Sequence, residues 1–263
     1  MIELKSQADF RTVRRLPFCY LCGKQFTGKT DKTRDHIPPK NIFPKEDREP
    51  PLILPAHETC NGGQSDYDET IGQLVMALHG KVPTNQKLEL TVIDSDTSTK
   101  PYLALTGINL QNVVWRWIRA FHSSLYQEYL PDDIGRAIHL PFPSGTIEGD
   151  VIQMEEHPFQ HRVLVTVIKK NRTTNNIDRI ESNNGQCIYE CVWEQHDDGS
   201  IMCVFALRIS EWKKLGEERL GERGCVGLYI TPNDPPASAS KGTGIFLFPW
   251  IAIRLVLRKS DAT

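Results

Sequence analysis

A chain of 263 residues that is 39% hydrophobic and 24% charged carries enough apolar material for a buried core and falls outside the disordered class. Its longest apolar run, residues 245–253, is broken by Pro249, so no membrane span is expected, and a formal net charge of −2 excludes a globally polycationic protein. Seven cysteines, an odd number, and an N-terminus without an apolar signal core predict a cytoplasmic protein with reduced thiols rather than a disulfide framework.

In chain order, the first feature is Phe18-Cys-Tyr-Leu-Cys-Gly23, a knuckle-type turn with glycine after the second cysteine. A strand then ends at His36, because Pro38 and Pro39 cannot donate ladder hydrogen bonds. Leu52 to Leu54 is a short strand candidate. A helix is predicted from Tyr67 to Leu78, where Ile71, Leu74, Val75 and Leu78 recur at helical spacing before Gly80. After a connection with one strand, Leu88 to Ile93, a stronger helix carries Leu110, Val113, Val114, Trp117, Ile118, Phe121 and Leu125 on one apolar stripe. Trp115 and Arg116 lie off that stripe and are candidates for stacking on nucleic-acid bases, whereas Trp117 is expected to pack.

Beyond residue 140 the pattern turns to β. Val163 to Ile168 reads as a strand, and Ile188 to Trp193 and Ile201 to Leu207 flank His196-Asp-Asp-Gly199, a hairpin signal. Residues 209–220 are expected to hold a short helix and residues 231–244 to form a loop. Cys187, Cys191, Cys203 and Cys225 fall in strand-like segments and are expected to be small buried hydrophobes. His79, His122 and His139 have no companions at ligand spacing.

The chemistry is concentrated near the N-terminus. Cys19-x-x-Cys22 and His57-x-x-Cys60 are two pairs of soft ligands at the spacing with which adjacent knuckles hold tetrahedral Zn²⁺. Three thiolates and one imidazole satisfy the ion, so the predicted site is closed and structural. Between the half-sites lies Asp35-His36. Adjacent in sequence, they put a hard oxygen and a neutral imidazole on opposite faces of a strand end, a pairing that suits phosphodiester hydrolysis, with the carboxylate on a divalent cation and the imidazole activating water. Charge agrees in sign: residues 1–48 carry eleven Lys/Arg against six Asp/Glu, while residues 49–100 carry three against eight. Lys40, Lys45 and Arg48 are candidate phosphate contacts.

The combination CYLCGK, DHIPPKNIF and LPAHETCNGG resembles the HNH endonucleases of the ββα-metal type braced by a zinc knuckle, over residues 16–75. The resemblance implies that His36 is the general base and that Asp35 and Asn61 hold a catalytic Mg²⁺ or Mn²⁺. It also implies a DNA substrate and a setting in bacterial or phage defence, restriction or mobile elements. The chain departs from the family pattern in three places. His57 replaces the usual cysteine, Leu52 stands where an orienting asparagine is usual, and Gln64-Ser65-Asp66 replaces a basic residue.

The expected fold is therefore α+β. Residues 1–80 form the zinc-braced ββα module, and residues 81–263 a helix plus mainly antiparallel β region for target selection or partner binding. Two functions stand open: a metal-dependent endonuclease acting on DNA, and a non-catalytic zinc module that binds nucleic acid or a protein.

Overall fold

The computed structural model describes residues 1–28, 31–78, 89–93, 102–106, 109–140, 145–148, 151–154, 158–196, 201–210, 224–231 and 234–246. The chain opens with β1 (Glu3–Leu4) and helix α1 (Gln7–Val13), which starts at a capping box of Ser6 and Asp9. Strands β2 (Lys32–His36) and β3 (Ile53–His57) form an antiparallel pair of their own, with His36 opposite Ile53 and Lys32 opposite His57. The long connection between them is anchored, since Ile37, Ile42, Phe43 and Leu52 are all buried. Helices α2 (Glu58–Gly62) and α3 (Ser65–Leu78) follow at once, giving the order strand, strand, helix.

Short strands β4 (Glu89–Ile93) and β5 (Tyr102–Thr106) form a separate antiparallel pair. Helix α4 (Leu110–Tyr126) is capped at its start by the Asn109 side chain and ends at Gln127 in the left-handed region. Then come β6 (Arg136–His139), the pair β7 (Gly145–Glu148) and β8 (Val151–Met154), and helix α5 (Pro158–Thr173). The chain continues through β9 (Asp178–Ser182), β10 (Cys187–His196), β11 (Ile201–Ile209), β12 (Cys225–Ile230) and β13 (Lys241–Phe246).

The main sheet runs β1-β9-β10-β11-β12-β6. Strand β10 is long enough to take two neighbours along one edge: β9 pairs with residues 187–191 and β13 with residues 193–196. Among the described strands of this sheet, β1 on β9 and β13 on β10 are parallel and the other pairs are antiparallel. The chain is thus a mixed α+β protein with a mainly antiparallel sheet. The β10–β11 hairpin matches the sequence prediction, although its turn, residues 197–200, lies outside the described residues.

Two expectations need correction. Val163 to Ile168 is helical, not a strand: within α5, Leu164, Val167 and Ile168 are buried at helical spacing against Val204, Ala206, Val226 and Leu228 of the sheet. Pro158 at its first position and Lys170 and Arg172 in its last turn are helix-end signals that the β-branched run overshadowed. The stretch expected to be loop up to residue 244 instead enters β13 at Lys241. The expected helix at 209–220 lies almost wholly outside the described residues, as do the side chain of Asp66 and all of His79 and Gly80.

Helix α4 also differs from a one-striped helix. Every residue from Val113 to Tyr126 is buried, Trp115 and Arg116 included, so neither is presented for base stacking. One buried cluster continues from Phe10, Leu54 and Leu74 through Trp117 and Phe121 to Tyr189, Phe205 and Tyr229. Cys187, Cys191, Cys203 and Cys225 are buried free thiols, in keeping with their strand-like settings. No helix among the described residues is long and apolar enough to cross a membrane.

Candidate metal centre

The Cys19–Cys22 knuckle is a tight turn between α1 and β2. The Cys19 amide donates to the Lys24 carbonyl at 2.9 Å and the Gly23 amide to the Cys19 carbonyl at 2.8 Å. Gly23 sits at φ +74°, where a side chain would be strained, and a Cβ there would meet the Tyr129 ring at 2.8 Å. The second half-site lies at the β3–α2 junction, with His57 closing the strand and Cys60 one turn into the helix. Antiparallel pairing of β3 on β2 carries this junction back to the knuckle. The His57 amide donates to Cys19 Sγ and His57 Nδ1 faces Cys22 Sγ, both at 3.3 Å.

The ligand atoms of Cys19, Cys22, His57 and Cys60 all lie within 4.8 Å of one another. Tetrahedral Zn²⁺, with bonds of about 2.0–2.3 Å, places ligand atoms roughly 3.5–4 Å apart, so a small contraction closes the group around an ion. These side chains fit zinc. A carboxylate stands behind the imidazole: Asp31 Oδ2 is 3.3 Å from His57 Nε2 and accepts from the Thr27 hydroxyl at 3.2 Å. This partner leaves Nδ1 as the free lone pair on the cluster side, the arrangement in which histidines ligate metals. The thiols differ among themselves. Cys60 is pushed up to about 11 by burial and by the neighbouring thiols. For Cys22 burial acts the same way, but the Lys24 amide, His57 and the other thiols outweigh it and hold the group below the usual thiol value. A bound dication reverses the penalty on Cys60, because it stabilises every thiolate in the group.

Asp35 and His36 point to opposite faces of β2, as strand alternation requires. Asp35 is the inward one and is only 3% exposed. Arg116 Nη2 of α4 donates to both of its oxygens, at 2.8 and 2.6 Å, and the Tyr20 hydroxyl donates to Oδ2. Arg116 reaches on to Asp68 of α3 at 2.6 Å through Nη1, and its Nε donates to the Tyr20 oxygen at 3.2 Å. Burial opposes the Arg116 charge, yet its anionic partners outweigh burial and raise its pKa further. Burial and the Asp35 charge hold the Tyr20 phenol well above its usual value, so it remains a donor.

Asn61 lies in α2 with Nδ2 donating to Thr33 Oγ1 at 3.3 Å. The expectation that Asp35, Asn61 and His36 converge on one open oxygen site for Mg²⁺ or Mn²⁺ is therefore not met in this arrangement. Asp35 is turned away from His36 and its oxygens are occupied by donors. The residues present fit zinc at the knuckle but not a hard cation at Asp35.

His36 is half-buried at the end of β2. Burial, followed by the charge of Lys40 and then that of Arg14, depresses its pKa below the ordinary histidine value, with Asp35 and Glu49 acting in the opposite direction. Leu52 is fully buried and offers only its carbonyl, which accepts from the Ile37 amide at 3.0 Å. Lys32 and Arg34 are exposed on the same face of β2 as His36, and Lys40 and Lys45 are exposed in the following loop. Arg48 instead donates to the Phe43 carbonyl at 3.0 Å and serves the loop.

Asp31, Tyr20 and Asp68 are site residues that sequence reasoning missed, and Arg116, expected at nucleic-acid bases, is instead held by Asp35 and Asp68. The one available signal was an arginine inside an apolar helix, which when buried demands an anionic partner. Comparison with family models, curated proteins and solved structures gives no match to this chain.

Proposed function

We propose that this chain is a zinc-braced endonuclease that hydrolyses phosphodiester bonds in DNA with His36 as general base. The observation that carries the reading is His36 itself. It is a half-buried imidazole with a depressed pKa at the end of β2, flanked by Lys40 and Arg14, and the other end of the same strand pair carries a Cys3His group that can hold a structural metal such as zinc. A neutral imidazole takes the proton from a water attacking phosphorus. Lys32, Arg34 and Lys40 supply positive charge where the phosphate backbone has to lie. The resemblance also brings a Mg²⁺ or Mn²⁺ requirement and a defence, restriction or mobile-element setting into this proposal. Proton removal by His36 does not pass through Asp35 or a hard cation.

The test is nicking of supercoiled plasmid by the full chain, with and without added Mg²⁺ or Mn²⁺, beside His36→Ala. The expected result is a rate loss on the order of 10²–10⁴-fold in the variant, with zinc content unchanged at one ion per chain. Equal nicking by both proteins would remove His36 from the chemistry. The engagement of Asp35 by Arg116 favours a second reading, a non-catalytic zinc module that binds DNA without cutting it. Retention of duplex DNA by the wild-type chain with no nicking under any metal would select that reading.

A further inference from the structure

Both residues between the first two metal ligands are gripped by helix α4. Tyr20 is held through its hydroxyl by Arg116 Nε at 3.2 Å, and through Asp35 by the same guanidinium. Leu21 is held through its carbonyl, which accepts from Arg119 Nη2 at 2.6 Å. The next residue after Cys22, Gly23, lies against the ring of Tyr129, and that ring lies under the Arg119 guanidinium at 5.7 Å. Arg119 is itself fixed by the Leu130 carbonyl at 3.0 Å and by Asp132 at 3.3 Å. Arg116 and Arg119 are one helical turn apart and so share a face, which allows one helix to hold two consecutive knuckle residues.

A knuckle that only had to bind zinc would need none of this, because the metal supplies the ordering energy of a small site. Here the two arginines are each about 5% exposed, and their charge is tolerated because charge-assisted hydrogen bonds and ion pairs hold them to the knuckle, to Asp35, to Asp68 and to the segment after α4. We propose that α4 is the second half of the metal site: Arg116 and Arg119 are positioning residues that set the Cys19–Cys22 geometry, and Asp35 is an anchor of this clamp rather than a ligand of a catalytic cation. Metal retention by the Cys3His group is then governed by side chains about a hundred residues away in sequence. The inference rests on the reading of that group as a zinc site.

The experiment uses the full-length, zinc-loaded chain and follows transfer of zinc to a chromogenic chelator. Arg119→Gln and Arg116→Gln, neither of which touches a metal ligand, are expected to release zinc roughly 10–100-fold faster than wild type, the usual cost of losing an outer partner. Arg119→Lys, which can still donate to the Leu21 carbonyl, is expected to recover part of the loss. Arg172→Gln on α5 is expected to leave the rate unchanged. The chain loaded with Co²⁺ in place of zinc gives a second readout: its thiolate charge-transfer and ligand-field bands should shift in the two glutamine variants. Where a glutamine variant fails to fold, Arg119→Lys and Tyr129→Leu carry the same test. Zinc bound by wild type but released at the same rate from all the folded variants overturns the clamp while leaving the zinc reading intact. A wild-type chain that takes up neither zinc nor Co²⁺ overturns both.

Discussion

His36 and Asp35 are adjacent in sequence and opposite in environment, and the difference comes from a single step along a strand. The inward residue meets a guanidinium and loses contact with water; the outward one keeps a half-exposed imidazole on which burial, Lys40 and Arg14 outweigh Asp35 and Glu49. That has a consequence for pH. Burial first, then Lys40 and Arg14, keep the folded-state pKa of His36 below about 6.5, so the base remains neutral further into acid than an ordinary histidine. If His36 is the base, the acid limb of kcat/KM for plasmid cleavage should fall below pH 6.5. Lys40→Ala should move that limb upward, because it removes a charge that disfavours the imidazolium. A limb that stays in place in Lys40→Ala, or that lies above 6.5 in wild type, would separate His36 from the titration that controls the rate.

At the scale of elements, α4 shows why periodicity revealed only part of the fold. Its apolar stripe was legible from Leu110 to Leu125, but a helix buried on every side has two more faces, and their partners are distant in sequence. The face bearing Arg116 and Arg119 meets the knuckle and Asp35. Trp115, His122 and Tyr126 meet the sheet, with Tyr229 and Trp193 around them at ring separations of 5.7–6.2 Å. The ligand group was readable because Cys19, Cys22, His57 and Cys60 obey local spacing. Asp31 and Arg116 obey none, and α5 was hidden by Val163 to Ile168, whose β-branched residues suit a strand as well as a helix.

The sheet-facing edge of α4 also carries an acid-sensitive group. His122 Nδ1 lies 2.9 Å from the Tyr229 hydroxyl, and burial pushes its pKa down to about 3. An unfolded chain protonates this histidine near 6.5, whereas the folded chain resists. Its contribution to stability is therefore complete above pH 6.5 and declines by about 1.4 kcal/mol per pH unit as the pH falls towards 3. In His122→Gln the amide can still partner Tyr229 but does not titrate. Urea midpoints plotted against pH should therefore fall less steeply between pH 6 and 4 for the variant than for wild type; parallel curves would show that other groups set the acid limit.

At the scale of the whole molecule, the segments expected to make an independent N-terminal module share one interior with the sheet. Beyond the continuous apolar cluster, the fully buried Asp178 of β9 ties four parts of the chain together. Its Oδ1 accepts from the Ile2 amide and the Ser240 hydroxyl, both at 2.7 Å, and its Oδ2 from the Tyr126 hydroxyl at 2.9 Å and the Ser240 amide at 2.8 Å. A buried carboxylate with four donors leaves no cheap way to open the N-terminus, α4 or the segment before β13 alone, since each opening strands part of a buried charge. Unfolding should then be a single event. Calorimetry is expected to show one endotherm with a van't Hoff enthalpy close to the calorimetric one, and chelation of the Cys3His metal should move that endotherm down without splitting it. An independent module would behave otherwise: chelator would produce an early transition seen by thiol reactivity at Cys22 and Cys60, while the fluorescence of Trp193 in the sheet stayed native to the original temperature. That pattern would place the unit of cooperativity at the knuckle and confine the contacts of Arg116, Arg119 and Asp178 to a docking surface between two separately stable parts.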